Sequence, residues 1–222
     1  MQISVIIPAL NESARIRAAV ASASGAAGVE VIVADGGSTD GTATIAGLLG
    51  ASVISSTPGR AAQMNAGAGV ATGDVLLFLH ADTTLPEGYD THVRETLGRP
   101  GTVAGAFMFR VDRPSPSLRV IEILAGLRCR AFGLPYGDQG IFVRADVFRA
   151  VGGYPDMPIM EDFELMRRVG RLGRVGLAGA CTVTSARRWE EAGVLRMTLV
   201  NQAVILAYIL GVPPERIKGW RG

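Results

Sequence analysis

Residues 75–86 read Val75-Leu76-Leu77-Phe78-Leu79-His80-Ala81-Asp82-Thr83-Thr84-Leu85-Pro86, and the fold is decided here. Five apolar residues, Val75 to Leu79, are too few for a core helix; with Gly73 ahead and Pro86 behind, they read as a fully buried strand. Strands of that kind lie inside parallel sheets. Asp82 follows at once, where an open α/β sheet collects ligands beyond the carboxyl ends of its strands. It is the residue expected to hold a metal.

Upstream the same signature repeats. Ile3 to Ile7 is a β-branched run ended by Pro8, with Asn11 or Ser13 placed to cap a helix through about Ser24. Val29 to Val33 reads as a second strand, Asp35 to Gly41 as its turn and Thr42 to Leu49 as a helix. Ala51 to Ser55 and Arg60 to Ala71 form a third pair, with Ala61, Ala62, Ala66, Ala68 and Gly69 small enough for close packing on a sheet. Such alternation predicts an α/β fold with a mostly parallel central sheet, right-handed crossovers and helices on both faces. Asn11 and Glu12 follow strand one, Asp35 ends strand two and Asp82 follows strand four, so the acidic positions share one sheet edge.

Downstream the pattern loosens. It predicts a helix near Tyr89 to Leu97, a strand near Thr102 to Val111, and a linker from Arg113 through Pro114 to Pro116. Ser117 to Phe132 reads as an amphipathic helix with Leu118, Ile121, Leu124 and Ala125 on one side. Tyr136 to Arg144 is a polar glycine turn entering a short strand, Gly152 to Pro155 another turn, and Glu161-Asp162 open a helix to about Leu172. A strand follows within Val175 to Val183. The last helix, about Val194 to Leu210, holds an apolar octet from Ala203, short of the roughly 20 residues a membrane span needs. A core helix is expected there, with an interfacial helix as the alternative.

A chain of 222 residues should bury roughly 70–75% of its unfolded surface. The net charge of +2 is scattered rather than gathered into a basic block, which argues against nucleic acid as partner. Lys218 is the only lysine, so Walker-type phosphate loops, Schiff-base chemistry and lysine-dependent nucleotidyl transfer lack their central residue. Cys129 and Cys181 match no metal or CxxC spacing and read as buried free thiols. The N-terminal residues have no basic region ahead of the apolar run, and a cytoplasmic location is expected, with the inner face of the membrane as a variant of it.

Several polar residues admit two readings. Asp82 could cap a helix after strand four, or hold Mg²⁺ or Mn²⁺ together with diphosphate oxygens. Asp35 suits a Gly-Ser turn, or accepts a hydrogen bond from a base or ribose. Glu161 and Asp162 are at home in a helix's first turn; the apolar approach Met157 to Met160 could also desolvate a carboxylate and raise its pKa to that of a general base. Arg60 is a surface charge or a phosphate contact at a helix N-terminus. Arg187-Arg188-Trp189 forms a solvated turn, or offers guanidinium forks and an aromatic platform. His80 and His92 are too few for a histidine metal cluster.

Taken in order, SVIIPALNE, VIVADGGSTDGT, GRAAQMNAGA, ATGDVLLFLHADT, YGDQGIFVR, VGGYPDMPIMEDFEL and SARRW resemble the family 2 glycosyltransferases of GT-A fold, most closely a short bacterial subgroup associated with radical-SAM proteins. The resemblance implies a single domain over 1–222: a nucleotide-binding half (1–98), an acceptor-side half (99–192) and a helical C-terminal segment (193–222). It implies a hexosyltransferase-like enzyme that transfers a sugar with inversion from a nucleotide-diphosphate donor to an acceptor hydroxyl, with Mn²⁺ or Mg²⁺ on the diphosphate. Asp162, with Glu161, takes the place of the catalytic base. Pro8, Asn11, Glu12, Asp35, Arg60, Asn65, Asp82 and Asp138 fall at donor positions, with Asp82 also the metal residue, and Arg188 and Trp189 at acceptor positions. A binding protein that has lost transfer, and a membrane-peripheral transferase docking through its C-terminal helix onto a lipid acceptor, are the alternatives. Four positions depart from the family pattern. Leu10 replaces an aromatic, Ala34 and His80 each replace an Asp, and Ser185 replaces a Gln.

Overall fold

All seven residues of β1 (Ile3–Ala9) are buried, and the reason is its place in the sheet: it pairs in parallel with β2 (Val29–Asp35) on one side and β4 (Val75–Phe78) on the other. A strand covered on both faces has no use for alternation, which is why β1 is apolar apart from Ser4 and β4 is apolar throughout. The computed structural model describes residues 1–113 and 115–221, the side chains of Arg188, Glu191 and Arg221 excepted. Between these strands run α1 (Ile16–Ala23), α2 (Thr42–Leu48), β3 (Ser52–Ser55) and α3 (Arg60–Val70). Then come β5 (Thr83–Thr84), α4 (Tyr89–Leu97), β6 (Thr102–Val111), α5 (Pro116–Phe132), β7 (Ile141–Arg144), α6 (Ala145–Ala150), α7 (Glu161–Val169) and β8 (Arg174–Thr184). The chain closes with α8 (Arg187–Ala192), α9 (Val194–Ile209) and α10 (Pro214–Ile217).

The sheet runs β3-β2-β1-β4-β7-β6-β8-β5. Its first four strands are parallel, as the alternation predicts; β7 then enters antiparallel to both β4 and β6, and β5 antiparallel to β8, so the whole sheet is mixed. Helices cover both faces. Ile16, Val20, Val93 and Leu97 pack beneath one side with Val5, Ile7 and Leu77, while Met64, Phe148, Leu165 and Met166 cover the other with Ile6, Leu76 and Phe78.

Local details differ from the sequence expectations for identifiable reasons. Neither Asn11 nor Ser13 caps α1, which starts only at Ile16. The Glu12 carbonyl accepts from both Arg15 and Ile16 N–H, so a turn precedes the helix. The close approach of α3 to β1 is made at Gly67, where a Cβ would overlap the Ile6 side chain, whereas Gly69 is exposed. Asp82 caps no helix, because β5 follows it. Leu124 faces outward on α5, whose packed side is Leu118, Ala125 and Cys129. Finally, α9 is no core helix all round: Val204 and Ala207 are buried and its opposite side is exposed. Both cysteines are free, Cys129 buried and Cys181 half-buried.

Candidate active site

The carboxyl ends of β1 and β2 are joined by their own loops. Asn11, held at φ 54°, accepts the Thr39 N–H at its Oδ1 (2.9 Å) and donates its own N–H to Ser38 Oγ (2.9 Å). Glu12 N–H donates to Thr42 Oγ1 (2.8 Å), and Ser13 N–H to Asp40 Oδ2 (3.0 Å). Beneath them the buried Gln63 amide donates to the carbonyls of Ala9 (2.7 Å) and Ala34 (2.8 Å), tying the two strand ends together. Asp35 closes β2. Its Oδ2 accepts from Gly37 N–H (3.0 Å) and Ser38 N–H (2.9 Å), while Oδ1 is buried with no partner among the described residues. The turn reading of Asp35 is therefore fulfilled with one oxygen, and the other remains available as an acceptor.

Across the sheet edge, α7 begins immediately after Met160, held at φ 70° in the left-handed region that side chains rarely adopt. Met160, Ile159 and Phe163 pack with Val204, Ala207 and Ile217, so α9 and α10 back this helix start. Glu161 is 1% exposed and pairs through Oε1 with the Arg60 guanidinium; its Oε2 is buried without a partner among the described residues. Burial works against the Arg60 charge, yet the carboxylates of Glu161 and Asp162 outweigh it and hold the guanidinium above its ordinary pKa. Asp162 is 9% exposed. Its Oδ2 accepts the Gly137 N–H (3.1 Å), and its Oδ1 is buried without a partner among the described residues. Burial first, and the neighbouring Glu161 next, push its carboxyl up to about 7, against the opposing pull of Arg60 and the Gly137 N–H. Asp138 adds to the upward push.

Gly137 is where the two halves meet. A Cβ there would lie 2.5 Å from His80 Nε2 and 2.6 Å from Asp162 Oδ2, so the exit of β4 and the start of α7 flank the same glycine. The turn is fixed from behind by Gln139, fully buried, which accepts from Tyr136 N–H (3.1 Å) and Arg128 (2.9 Å) and donates to the Phe107 carbonyl (3.0 Å). Two residues after His80, the Asp82 carbonyl accepts the Ser185 N–H (3.1 Å), and its Oδ1 takes a long hydrogen bond from the Thr83 hydroxyl (3.4 Å). Among the described residues no group of three or more His, Cys, Asp or Glu could hold a metal alone. The donors present fit a hard cation that takes one carboxylate from Asp82 and its remaining ligands from a bound diphosphate and water.

The structure thus brings Arg60, Asp138, Glu161 and Asp162 into one electrostatic cluster, with His80 beside them, Asp82 two residues on and Asp35 on the same sheet edge. With β1 between β2 and β4, Ile32 and Phe78, both level with Ile6, are about 10 Å apart; Asp35 closes β2 three residues beyond Ile32, and Asp82 follows Phe78 by four. Other residues have structural duties. Pro8 is buried in β1 opposite Ala34, and Glu12 pairs with Arg15 (2.9 Å). The Asn65 amide is engaged on both sides by the backbone of Tyr154 (2.8 and 2.9 Å), so it holds the Gly152-Gly153-Tyr154 turn. Trp189 packs on Phe109, centroids 5.7 Å apart, and sits in α8 rather than a solvated turn; the Arg188 side chain lies outside the described residues. Gln63 and Gln139 were not legible as site residues. The available signal is a lone amide in an otherwise small or apolar stretch.

The model of the family described as "Glycosyl transferase family 2" matches residues 4–151. No curated protein matches the chain. Among solved structures, S. aureus TarS 1-349 is 17% identical, with a TM-score of 0.65 over 88% of this chain and 64% of its own. The same protein in complex with UDP-GlcNAc is 16% identical, with a TM-score of 0.64 over 83% and 58%. Glucosyl-3-phosphoglycerate synthase from Mycobacterium tuberculosis, in complex with Mn²⁺, UDP and glucosyl-3-phosphoglycerate, is 24% identical, with a TM-score of 0.65 over 96% and 81%. The chain therefore spans less than two thirds of the TarS chains. At these identities the likeness concerns the fold, which is the GT-A fold.

Proposed function

Because the chain belongs to glycosyl transferase family 2, we propose that it is an inverting, hexosyltransferase-like enzyme moving a sugar from a nucleotide-diphosphate donor to an acceptor hydroxyl. The observation that carries the chemistry is Asp162: one carboxyl oxygen is fixed by Gly137 N–H and the other is buried and unpartnered among the described residues, while burial and Glu161 push the carboxyl up to about 7. A carboxylate so placed takes the acceptor proton at Oδ1 while the acceptor oxygen bonds to the anomeric carbon. The bond from that carbon to the diphosphate oxygen breaks, and its electron pair leaves with the nucleotide diphosphate. One displacement inverts the carbon and needs no enzyme nucleophile. Arg60 and Glu161 hold Asp162 in its electrostatic setting, and Asp35 Oδ1 is the acceptor for a base or ribose donor. A bound Mn²⁺ or Mg²⁺ beside Asp82 would neutralise charge on the departing diphosphate; the Mn²⁺ and UDP in the synthase complex support that choice. Residues 1–98 are assigned to the donor, 99–192 to the acceptor, with 193–222 as a helical appendage, and the seven motifs support membership of the radical-SAM-associated subgroup.

The test follows nucleotide diphosphate release from a panel of nucleotide sugars with Mn²⁺ or Mg²⁺. Release by the natural chain, and its loss by about 100-fold or more in Asp162→Asn with nucleotide binding kept, is the expected result. Neither release nor binding with any donor overturns the proposal. A second reading, a nucleotide-sugar-binding protein without transfer, is favoured by His80 standing where the family has an acid. It predicts calorimetric binding, no release and no effect of Asp162→Asn.

A further inference from the structure

Helices α5 and α9 each carry two apolar faces. On α5 the packed side is Leu118, Ala125 and Cys129, and the opposite side presents Val120, Ile123, Leu124 and Leu127. On α9 the packed side is Val204 and Ala207, and Leu195, Leu199, Leu206, Ile209 and Leu210 recur outward at helical spacing. All nine outward side chains are more than half exposed. The α9 stripe is about 24 Å long. A helix with apolar stripes on two opposite sides is ordinarily covered on both, and here the outward stripe is open. The two helices share one cluster, in which Leu118, Ile121 and Ala125 of α5 meet Val194 of α9 and Trp189 of α8.

Charge says what covers that face. Residues 115–133 and 193–222 together hold seven basic residues against two acidic, in a chain of net +2. Arg128 is turned inward onto Tyr136, Gln139 and the Leu134 carbonyl, while Arg119, paired with Glu122, and Arg196, Arg216 and Lys218 are exposed. Arg196 is the only charged residue of α9. Trp220, 48% exposed, lies in the short helical turn that packs on α9. A second copy applied to this face would bring two positive surfaces together. An anionic surface would be attracted to it. Among the described residues no helix is long and apolar enough to cross a membrane, so any bilayer contact of these helices would be interfacial.

We propose that the outward stripes of α5 and α9 dock this protein on an anionic lipid bilayer, with Arg119, Arg196, Arg216 and Lys218 meeting the headgroups. The inference adds a partner and does not depend on glycosyl transfer, since its readout is lipid binding. The test is flotation of the full chain with phosphatidylcholine vesicles containing phosphatidylglycerol, and with phosphatidylcholine vesicles alone. The chain is expected to float with the anionic vesicles only. Leu199→Gln/Leu206→Gln/Ile209→Gln on α9, and separately Val120→Gln/Leu124→Gln/Leu127→Gln on α5, should each lower partition by roughly tenfold or more. Arg119→Gln/Arg196→Gln should lower it by roughly 30-fold, at about one kcal/mol per arginine. Circular dichroism verifies that each variant is folded, and release of nucleotide diphosphate from soluble donor should be unchanged. No flotation of the natural chain with anionic vesicles overturns the proposal, as does undiminished flotation of both folded glutamine variants. Sedimentation showing a dimer that the glutamine variants dissolve, without vesicle binding, would assign the face to a second copy instead.

Discussion

Replacing Gly137 by alanine tests how tightly the site is built. The added Cβ would lie 2.5 Å from His80 Nε2 and 2.6 Å from Asp162 Oδ2, where ordinary contact begins at 3.4 Å, so shifts of about 0.9 and 0.8 Å are required. Asp162 Oδ2 is already anchored to Gly137 N–H at 3.1 Å, and moving it by that much breaks the bond. Displacing a catalytic group by about 1 Å costs on the order of 100-fold in rate, so kcat should fall by about 10- to 100-fold. Overpacking should destabilise the fold by about 1–3 kcal/mol, or roughly 2–12 °C in Tm for a chain of this size. Gly173→Ala separates the two effects, because its Cβ would crowd Val103 and the Gly101 carbonyl at the start of β8, away from the cluster. The assay is donor turnover at saturation beside a thermal melt for each variant. Gly137→Ala turning over within about twofold of the natural chain, or Gly173→Ala losing turnover equally, would refute the reasoning.

Four further outcomes follow from the same geometry. With the Asp162 carboxyl pushed up to about 7, the base is ionised above that pH, so kcat should fall about tenfold per unit below it. In the stability of the fold the sign is opposite: the native chain keeps a proton that the unfolded chain releases between about pH 4 and pH 7. Stability contributed by this group is therefore lost as pH rises through 7, and Asp162→Asn should raise Tm most at about pH 8, as a melt series will show. Glu161→Gln leaves the Arg60 guanidinium, a third exposed, without its carboxylate and should cost about 2–3 kcal/mol in urea unfolding, with more than half recovered in Glu161→Gln/Arg60→Met. Asp35→Asn keeps an oxygen for the Gly37 and Ser38 N–H groups but turns an amide donor toward the ligand side. Nucleotide diphosphate affinity should drop about 10- to 100-fold by calorimetry while Tm barely moves.

The parallel half of the sheet was legible because a strand buried on both faces leaves a nearly continuous apolar run, as in Ile3–Ile7, interrupted only by Ser4, and Val75–Leu79, and the loop after such a run lands on the ligand edge. What followed Pro86 was less so. The insertion of β7 between β4 and β6 pairs segments distant along the chain, and nothing within Ile141–Arg144 marks its direction. Asn11 reads as a helix cap from its type alone; only its loop partner Thr39, across the sheet edge, explains its left-handed backbone. Asp162 and Glu161 were legible as a pair in a helix's first turn, but the burial that acts most on Asp162, and the Arg60, Gly137 and Asp138 groups that act beside Glu161, are supplied only by tertiary structure. Asn65 and Trp189 matched family positions by order along the chain, whereas their contacts are with the Tyr154 backbone and the Phe109 ring.

The central claim is that Asp35, Asp82 and Asp162 border one donor cleft at the carboxyl edge of the sheet. A crystal structure with a nucleotide diphosphate and Mn²⁺ measures this directly. The account predicts a base or ribose donor on Asp35 Oδ1, the cation between the diphosphate and Asp82, and open space beside Asp162 Oδ1 for an acceptor hydroxyl. A nucleotide bound away from that edge, or a diphosphate held with no approach to Asp82, would contradict it.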